Sequence, residues 1–482
     1  MSEESGAART SDPRMMAAIV ASALFMQNLD SSAVMTALPA MARDFGVEAA
    51  RLSAAVTSYL VALTVFIPVS GWVADRFGAK RVFMAAIAVF GIASALCGQA
   101  SGVAELVAFR VLQGMGGAMM VPVARLILLR RIRKEEMIQV MTWLTMPAMI
   151  GPISGPPVGG LLTDAFGWRS VFYLNVPIAV LGLALVAWKI PRVEPTHPGP
   201  PDVVGLLLTG VALALFMFGL ETVGRGVLPD PLPELALLAG LAVGVAAVRH
   251  CRRVARPAVD FGLLKIPTFK ASVLAGSVFR VGAGTIAFLV PMLLQLGFGK
   301  SASEAGLVSF ASAVGALAMK PVARPILKRF GFRGVLSGNV LLVALGTAMG
   351  ALFTPAWPLW LIFLLLAVAG LFRSLQFTAL STLAYCDIPN ARLSAATSFF
   401  GTLQQLSPAL GVVLASGTLE LSAWLAGRHD LALRDFATAF IVSALVVASS
   451  GPSFLRLSRD AGVAVSGHRP EGTARRRDKP AE

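Results

Sequence analysis

"DRFGAKRV" occupies residues 75–82, and "KRFGFRGV" occupies residues 328–335. Each follows an apolar run, each contains R-F-G, and in each a basic residue stands two positions beyond the glycine. Three shared residues are common by chance, but much less so at equivalent places between apolar runs. Working outward from the two octets gives two halves, 15–188 and 272–457, with six apolar runs apiece. Two more runs lie between them. Duplicated halves that enclose a site near the bilayer midplane are an arrangement used by transporters.

Composition agrees with that class. The 482 residues are 56% hydrophobic and only 14% charged, with a mean hydropathy of +0.75. A soluble chain carries about 25% charged residues, so this is an integral membrane protein. Cys97, Cys251 and Cys386 show no CxxC spacing, and the 4 histidines do not cluster. Neither a disulfide framework nor a zinc site is expected, and no cofactor or metal is predicted. The net charge of +15 is expected to mark cytoplasmic loops rather than a nucleic-acid surface.

The apolar runs cover 15–38, 52–74, 82–100, 103–129, 137–163, 171–188 and 203–220, then 235–248, 272–297, 305–319, 335–353, 357–385, 393–419 and 436–454. That is fourteen, most near the ~20 residues a spanning helix needs; 235–248 and 305–319 are short. With a cytoplasmic N-terminus, the inner segments hold 30 of the 41 Lys and Arg, the outer segments 7 and the spans 4. Deleting one short span would invert every later loop and destroy that alternation. The expected fold is therefore an all-α membrane protein of fourteen helices with both termini cytoplasmic. Its parts are an N-terminal tail 1–14, a half 15–188, a two-helix insert with linkers 189–271, a half 272–457 and a disordered basic tail 458–482 carrying "RRRDK".

"GPISGPPVGG" (151–160) places helix breakers inside a membrane run. Gly151, Gly155 and Gly159 recur every four residues and so share a helix face, where a neighbouring backbone can approach. Pro152, Pro156 and Pro157 remove three donors and are expected to kink or loosen the helix.

Asp30 is the carboxylate lying deep in a span, and an acid there marks a functional site and a candidate proton carrier. The alternative is a permanent ion pair with an arginine. Arg110, Arg280 and Arg373 are also deep, while Arg125 lies near a span end, where it is expected to snorkel. Arginine stays charged, so each deep one needs a partner, water or a ligand anion. Three such charges against one acid predict an electropositive cavity and a neutral or anionic substrate; the alternative is that Arg280 and Arg373 organise packing through backbone carbonyls. Gln27, Gln113 and Gln376 each lie three residues from Asp30, Arg110 or Arg373 and are expected to share their faces. Trp143, Gln295 and Gln404 complete the candidate cavity.

"GWVADRFGAKR" (71–81) resembles the helix 2–3 loop of the major facilitator superfamily, and "RVLQGMGGAMMVP" (110–122) its helix 4 motif. "GPISGPPVGG" is similar to the helix 5 pattern of its proton-coupled antiporters. "FMQNLDSSAVMTALPAMA" (25–42) and "GWRSVFYLNVPI" (167–178) resemble the fourteen-helix drug:proton antiporter branch, the EmrB/QacA type. "GLFRSLQFTALSTLAY" (370–385) is similar to its MdtD/HsrA-like members.

The resemblance implies an alternating-access, proton-coupled antiporter that exports drugs or other small amphipathic molecules. Asp30 and Arg110 would couple protons. Gly71, Asp75, Arg76, Gly78, Lys80 and Arg81 would form a cytoplasmic gate reaching the opposite half. Gly151, Pro152, Gly155, Pro156, Gly159 and Gly160 would seal the contact between halves. Two departures stand out: Met35 replaces the family's usual Asn, and Lys328 takes the place of Asp75 in the second copy.

A membrane enzyme is disfavoured, since the chain has no GxxxxGK[ST] phosphate loop, no HExxH and no nucleophile–base pair in its longest connection, 249–271. A carrier of an organic anion or metabolite and a non-transporting sensor remain as alternatives. The expected partners are protons, a small-molecule substrate and the lipid bilayer, with no nucleic acid. The protein is expected to be a monomer in the bacterial cytoplasmic (inner) membrane, a periplasmic or outer-membrane adaptor being left open.

Overall fold

A chain segment in hydrocarbon must satisfy its own backbone, and a run too short to close a barrel does so only as an α-helix. The computed structural model describes residues 13–47, 49–191, 195–196, 198–223, 229, 231–428 and 430–468. Among them there is no strand.

Met1–Pro201 is one compact unit. It contains α1 (Pro13–Phe45), α2 (Ala49–Phe66), α3 (Ser70–Phe77), α4 (Ala79–Gln99), α5 (Val103–Leu129), α6 (Met137–Phe166), α7 (Arg169–Tyr173) and α8 (Asn175–Lys189). A 3₁₀ turn, Ile67–Val69, joins α2 to α3. Between α3 and α4 stands Gly78, the glycine of R-F-G, at φ 88°. Only a residue without Cβ adopts that region at little cost, so this glycine permits the reversal. Trp168 and Phe172 pack with Ala33, Ala37, Leu52 and Cys97 in a buried cluster, and the Trp168 indole donates to the Asp44 carboxylate over 3.1 Å.

The glycine stripe of α6 lies along α1. A Cβ on Gly151 would come 2.7 Å from the Cβ of Asn28, and one on Gly159 2.7 Å from the carbonyl of Ala33. Gly155 faces Ser32, whose hydroxyl donates to the Gly151 carbonyl over 3.3 Å. The close contact therefore forms with the first helix of the same unit, where the resemblance had it meeting the opposite half. The three prolines, expected to kink or loosen the helix, do not end it: α6 runs helical through all of them. A membrane helix tolerates lost donors where neighbouring groups satisfy the freed carbonyls. The side chains of Pro152 and Pro156 lie outside the described residues, whereas Pro157 is exposed.

Asp202–Glu482 is the second compact unit. Its first helices are α9 (Val203–Thr222), α10 (Leu232–Cys251), α11 (Pro267–Lys270), α12 (Gly276–Gly284), α13 (Ile286–Met292) and α14 (Ala302–Ala318). There follow α15 (Lys320–Ala348), α16 (Leu359–Leu383), α17 (Leu393–Leu425), α18 (Leu433–Ser449), α19 (Gly451–Leu455) and α20 (Val463–Ser466). π-helical turns, Ala271–Ala275 and Leu293–Gly297, flank the α12–α13 segment. Ser301 and Glu304 start α14 with a reciprocal cap, the Glu304 carboxylate accepting from the Ser301 N–H at 2.9 Å.

The second R-F-G glycine, Gly331, has φ 68° inside α15. The repeat seen in the sequence thus recurs as backbone geometry. It also corrects a boundary, because 320–330 is helix and not the loop expected after the short run 305–319. Basic residues mark where hydrocarbon ends, which is not where a helix must end. The tail expected to be disordered from 458 carries α20 with Val465 and Ser466 buried. Residues 1–12 and 469–482, including "RRRDK", lie outside the described residues.

Eleven helices among the described residues are long and apolar enough to cross a membrane. Beside these, α1, α6 and α14 lie over the runs 15–38, 137–163 and 305–319.

Candidate functional site

The most heavily buried charges of the first unit meet at one point. Arg110 on α5 donates from Nη1 to Asp30 Oδ2 on α1 over 2.7 Å. The same nitrogen donates to Gln113 Oε1 at 2.7 Å. Gln113 in turn donates from Nε2 to Asp30 Oδ1 at 2.9 Å. Asn175, at the start of α8, donates to that oxygen at 2.7 Å and lies 3.0 Å from Ser94 Oγ. All four are sealed off, with exposures of 1% for Asp30, Arg110 and Asn175 and 0% for Gln113.

The guanidinium is fixed on its other sides. Its Nε donates to the Ala55 carbonyl over 3.3 Å, and its central carbon lies 4.1 Å from the ring centre of Tyr59. A buried ion pair is tolerable only when the remaining lone pairs and protons are also bonded. Here the Asp30 carboxylate accepts three hydrogen bonds from three different side chains. The spacing 110–113 on α5 supplies two of them from one helix face.

Asp30 and Arg110 thus form the ion pair that the sequence reading had as its alternative for Asp30. Gln113 joins them. Gln27 does not: its Oε1 is buried and takes no hydrogen bond among the described residues. Asn175, within residues 167–178, is the partner of Asp30 that the charge pattern of the sequence does not reveal. The available signal was its polar side chain in an otherwise apolar run, next to Pro177 by two positions.

The sequence of such a protein has relatives. The Major Facilitator Superfamily profile matches residues 20–248 and 272–478. The chain belongs to the major facilitator superfamily. It is 35% identical over 401 residues to the "Putative multidrug resistance protein MdtD" of Pectobacterium carotovorum, covering 82% of this chain and 85% of that protein. The protein of the same name from Serratia proteamaculans is 34% identical over 454 residues, covering 92% and 93%. Among solved structures, the human organic anion transporter MFSD10 (TETRAN) overlays with a TM-score of 0.64 at 15% identity, over 92% of this chain and 99% of that one. The proton:xylose symporter XylE overlays at 0.62 and 16% identity, over 91% and 94%. At those identities the overlays establish the fold. Superfamily membership makes the protein a multi-pass membrane transporter of small molecules, not an enzyme.

Within this superfamily chain, the first R-F-G turn is held at several points. Asp75 pairs with Arg130 at 2.6 Å; Arg76 and Arg81 are both exposed. Lys80 donates to the Ala187 carbonyl over 2.8 Å. The chain leaving α8 passes beneath the turn: Thr196 N–H donates to the Asp75 carbonyl at 2.9 Å, and the Trp72 indole to the Gly199 carbonyl at 3.2 Å. Gly71 is buried on α3. At the second turn, the Lys328 carbonyl lies 3.1 Å from His468 Nδ1. Each R-F-G turn is thus strapped by the segment that leaves the last helix of its own unit.

The second unit treats its deep cations differently. The buried Arg280 guanidinium, on α12, lies 4.6 Å from the Phe400 ring centre and 6.0 Å from that of Phe377. Lys320, expected in a loop, is buried and reaches Thr378 Oγ1 at 3.3 Å. Gln376 does not share a contact with Arg373. It is fully buried between helices, accepting from Asn339 Nδ2 at 2.9 Å and donating to the Leu336 carbonyl at 3.2 Å. Arg373 is half-buried and makes no hydrogen bond or ion pair among the described residues. Trp143 is 42% exposed; Gln295 is exposed and Gln404 half-buried. Arg125, expected to snorkel, is buried at 2% exposure. It lies on the packed face of α5, whose last turn is buried throughout.

Proposed function

We propose that the protein is a proton-coupled antiporter that exports drugs or other small amphipathic molecules by alternating access. The observation that carries this reading is the Asp30 carboxylate held by Arg110, Gln113 and Asn175 away from solvent. Protonating Asp30 removes the negative partner of an arginine that stays charged. Breaking a buried pair of this kind costs about 3–5 kcal/mol, so the network must rearrange or find another anion. One proton crossing about 100 mV supplies ~2.3 kcal/mol before any pH gradient is added, which is of the right order to drive that rearrangement.

In this reading Asp30 and Arg110 couple protons. Gln27, Trp143, Arg280, Gln295, Arg373 and Gln404 remain the candidates for substrate contact, while Gln113 is committed to Asp30 and Gln376 to Asn339. The buried Gln27 oxygen, which takes no hydrogen bond among the described residues, is an acceptor for a substrate donor or water. The Asp75 turn is the cytoplasmic gate, and the glycine face of α6 keeps α1, and so Asp30, in register. The chain spans a bacterial inner membrane fourteen times with both ends cytoplasmic and works as a monomer. The 30-to-7 split of basic residues supports that topology, and the named relatives support export. A second reading, transport of an organic anion or metabolite, is favoured by Arg373, a half-buried cation with no ion pair among the described residues.

The test uses proteoliposomes holding a pH dye and either wild type or Asp30→Asn, with cationic, neutral and anionic compounds added in turn. Compound-dependent proton movement in wild type, lost in Asp30→Asn while substrate exchange persists, is the expected result. Substrate uptake by wild type without proton movement would sink the coupling claim. Activity confined to anions would select the second reading.

A further inference from the structure

The α9–α10 hairpin carries a site that the transport chemistry does not use. Its second helix, Leu232–Cys251, buries 17% of its central window, the smallest share among the eleven spans, so most of its surface faces the surrounding medium. Between the two helices lies a groove of about 480 Å³. Phe216, Leu241, Val245 and Val248 line it, and Arg249 and Arg252 stand at one end.

Two glycines shape this groove. At Gly240 the helices touch, since an added Cβ would sit 2.6 Å from the Phe216 nitrogen. One turn later they are less tightly apposed: at Gly244 an added Cβ would meet the Ala212 Cβ at 3.8 Å, an ordinary contact. Gly240 admits no side chain, whereas Gly244 has room for a methyl group and lines the groove.

The charges at the end of the groove point to what fills it. His250 lies 2.8 Å from Asp202. That carboxylate also accepts the N–H of Gly205 at 2.8 Å and of Ala258 at 3.1 Å. The nearby acid is therefore fully engaged with the start of α9 and the chain beyond α10. Arg249 and Arg252 are exposed, and neither forms an ion pair among the described residues; Arg252 lies 5.9 Å from the Phe261 ring centre.

We propose that this groove binds an anionic phospholipid. One acyl chain lies against Phe216, Leu241 and Val245, and the phosphate sits on Arg249 and Arg252. An apolar wall alone would take any lipid tail with little selectivity. Arginines at the polar end of a lipid-facing groove add a preference for negative headgroups of about fivefold each, roughly thirtyfold together.

Native mass spectrometry of the full-length chain tests this, with phosphatidylglycerol, phosphatidylcholine and glycerol phosphate as probes. Wild type is expected to retain phosphatidylglycerol over phosphatidylcholine by roughly thirtyfold. The Arg249→Gln/Arg252→Gln double variant is expected to lose that preference. Gly244→Leu, which puts a side chain into the groove, is expected to lose both lipids while its melting temperature stays within about 2 °C of wild type. Equal phosphatidylglycerol retention by wild type and the double variant would overturn the proposal. So would competition by glycerol phosphate as strong as by the lipid, which would mean a site for a soluble phosphate. A species of twice the chain mass that Gly244→Leu abolishes would also overturn it, by making a second copy the occupant.

Discussion

The two units bury arginines in opposite ways. In the first, Arg110 meets a carboxylate at 2.7 Å, and two amides complete that carboxylate's hydrogen bonds. In the second, Arg280 lies among the rings of Phe400 and Phe377, on a helical segment flanked by π-helical turns. Between Glu304 and Asp387 the second unit's sequence holds no carboxylate at all, yet it carries Lys320 and Arg373. Taking up a proton at Asp30 would change the net charge of the first arrangement, whereas the guanidinium of Arg280 keeps its charge.

The largest expected effect breaks that comparison directly. Arg110→Gln strands the Asp30 charge in a dry site and should destabilise by about 3–5 kcal/mol. Arg280→Gln removes the guanidinium's contacts with the Phe400 and Phe377 rings, which by themselves are worth about 1–2 kcal/mol. Thermal melts of both variants in detergent decide the matter. Equal losses would mean that Arg280 is held by more than aromatic faces.

A smaller effect concerns how Asp30 is held in position. Gly155→Leu forces a side chain into the α1–α6 contact and should cost about 1–3 kcal/mol. Gly160, only five residues later, has nothing within 4 Å of an added Cβ, so Gly160→Leu should fall within about 0.5 kcal/mol. If the two variants melt alike, α6 does not position α1 through its glycine face.

The smallest effect separates the buried acid of the first unit from an acid at a helix end in the second. Asp202 loses some solvation on folding, which disfavours its charge. Its bonds to His250, Gly205 and Ala258 outweigh this and hold its carboxyl below the usual carboxylate range. A lowered folded value contributes stability above the unfolded value of about 3.9 and loses it as pH falls through the folded value. Asp202→Ala should thus cost roughly 0.5–2 kcal/mol at pH 7. The gap in melting temperature from wild type should close on acidification below pH 4. A gap unchanged across that window would show that the carboxylate's charge is not what caps α9.

Much of this was readable in advance. Hydropathy is a local property, so the apolar runs placed the helices, and the R-F-G echo located two glycines that both proved to have positive φ. Helix ends were read less well. The basic stretch 320–334 marked the edge of hydrocarbon, while the chain stayed helical to Phe330 and buried Lys320. The spacing from Arg110 to Gln113 was a true neighbour relation because both face Asp30. The identical spacing from Arg373 to Gln376 was not, because Asn339 on α15 turned the glutamine into a helix contact.

The sequence by itself therefore determined the membrane class, the duplicated plan, the superfamily and the identity of the deep charges. Each of these rests on composition or on residues close along the chain. Only the tertiary structure decided which charges meet. Asp30 and Arg110 are 80 residues apart, and Asp30 and Asn175 are 145 apart. Helix periodicity gives the direction of each side chain from its own axis, but carries no information about which helix lies opposite. That is set by packing, which here brings α5 and α8 against the Asp30 face of α1 while three glycines of α6 lie against another face of the same helix.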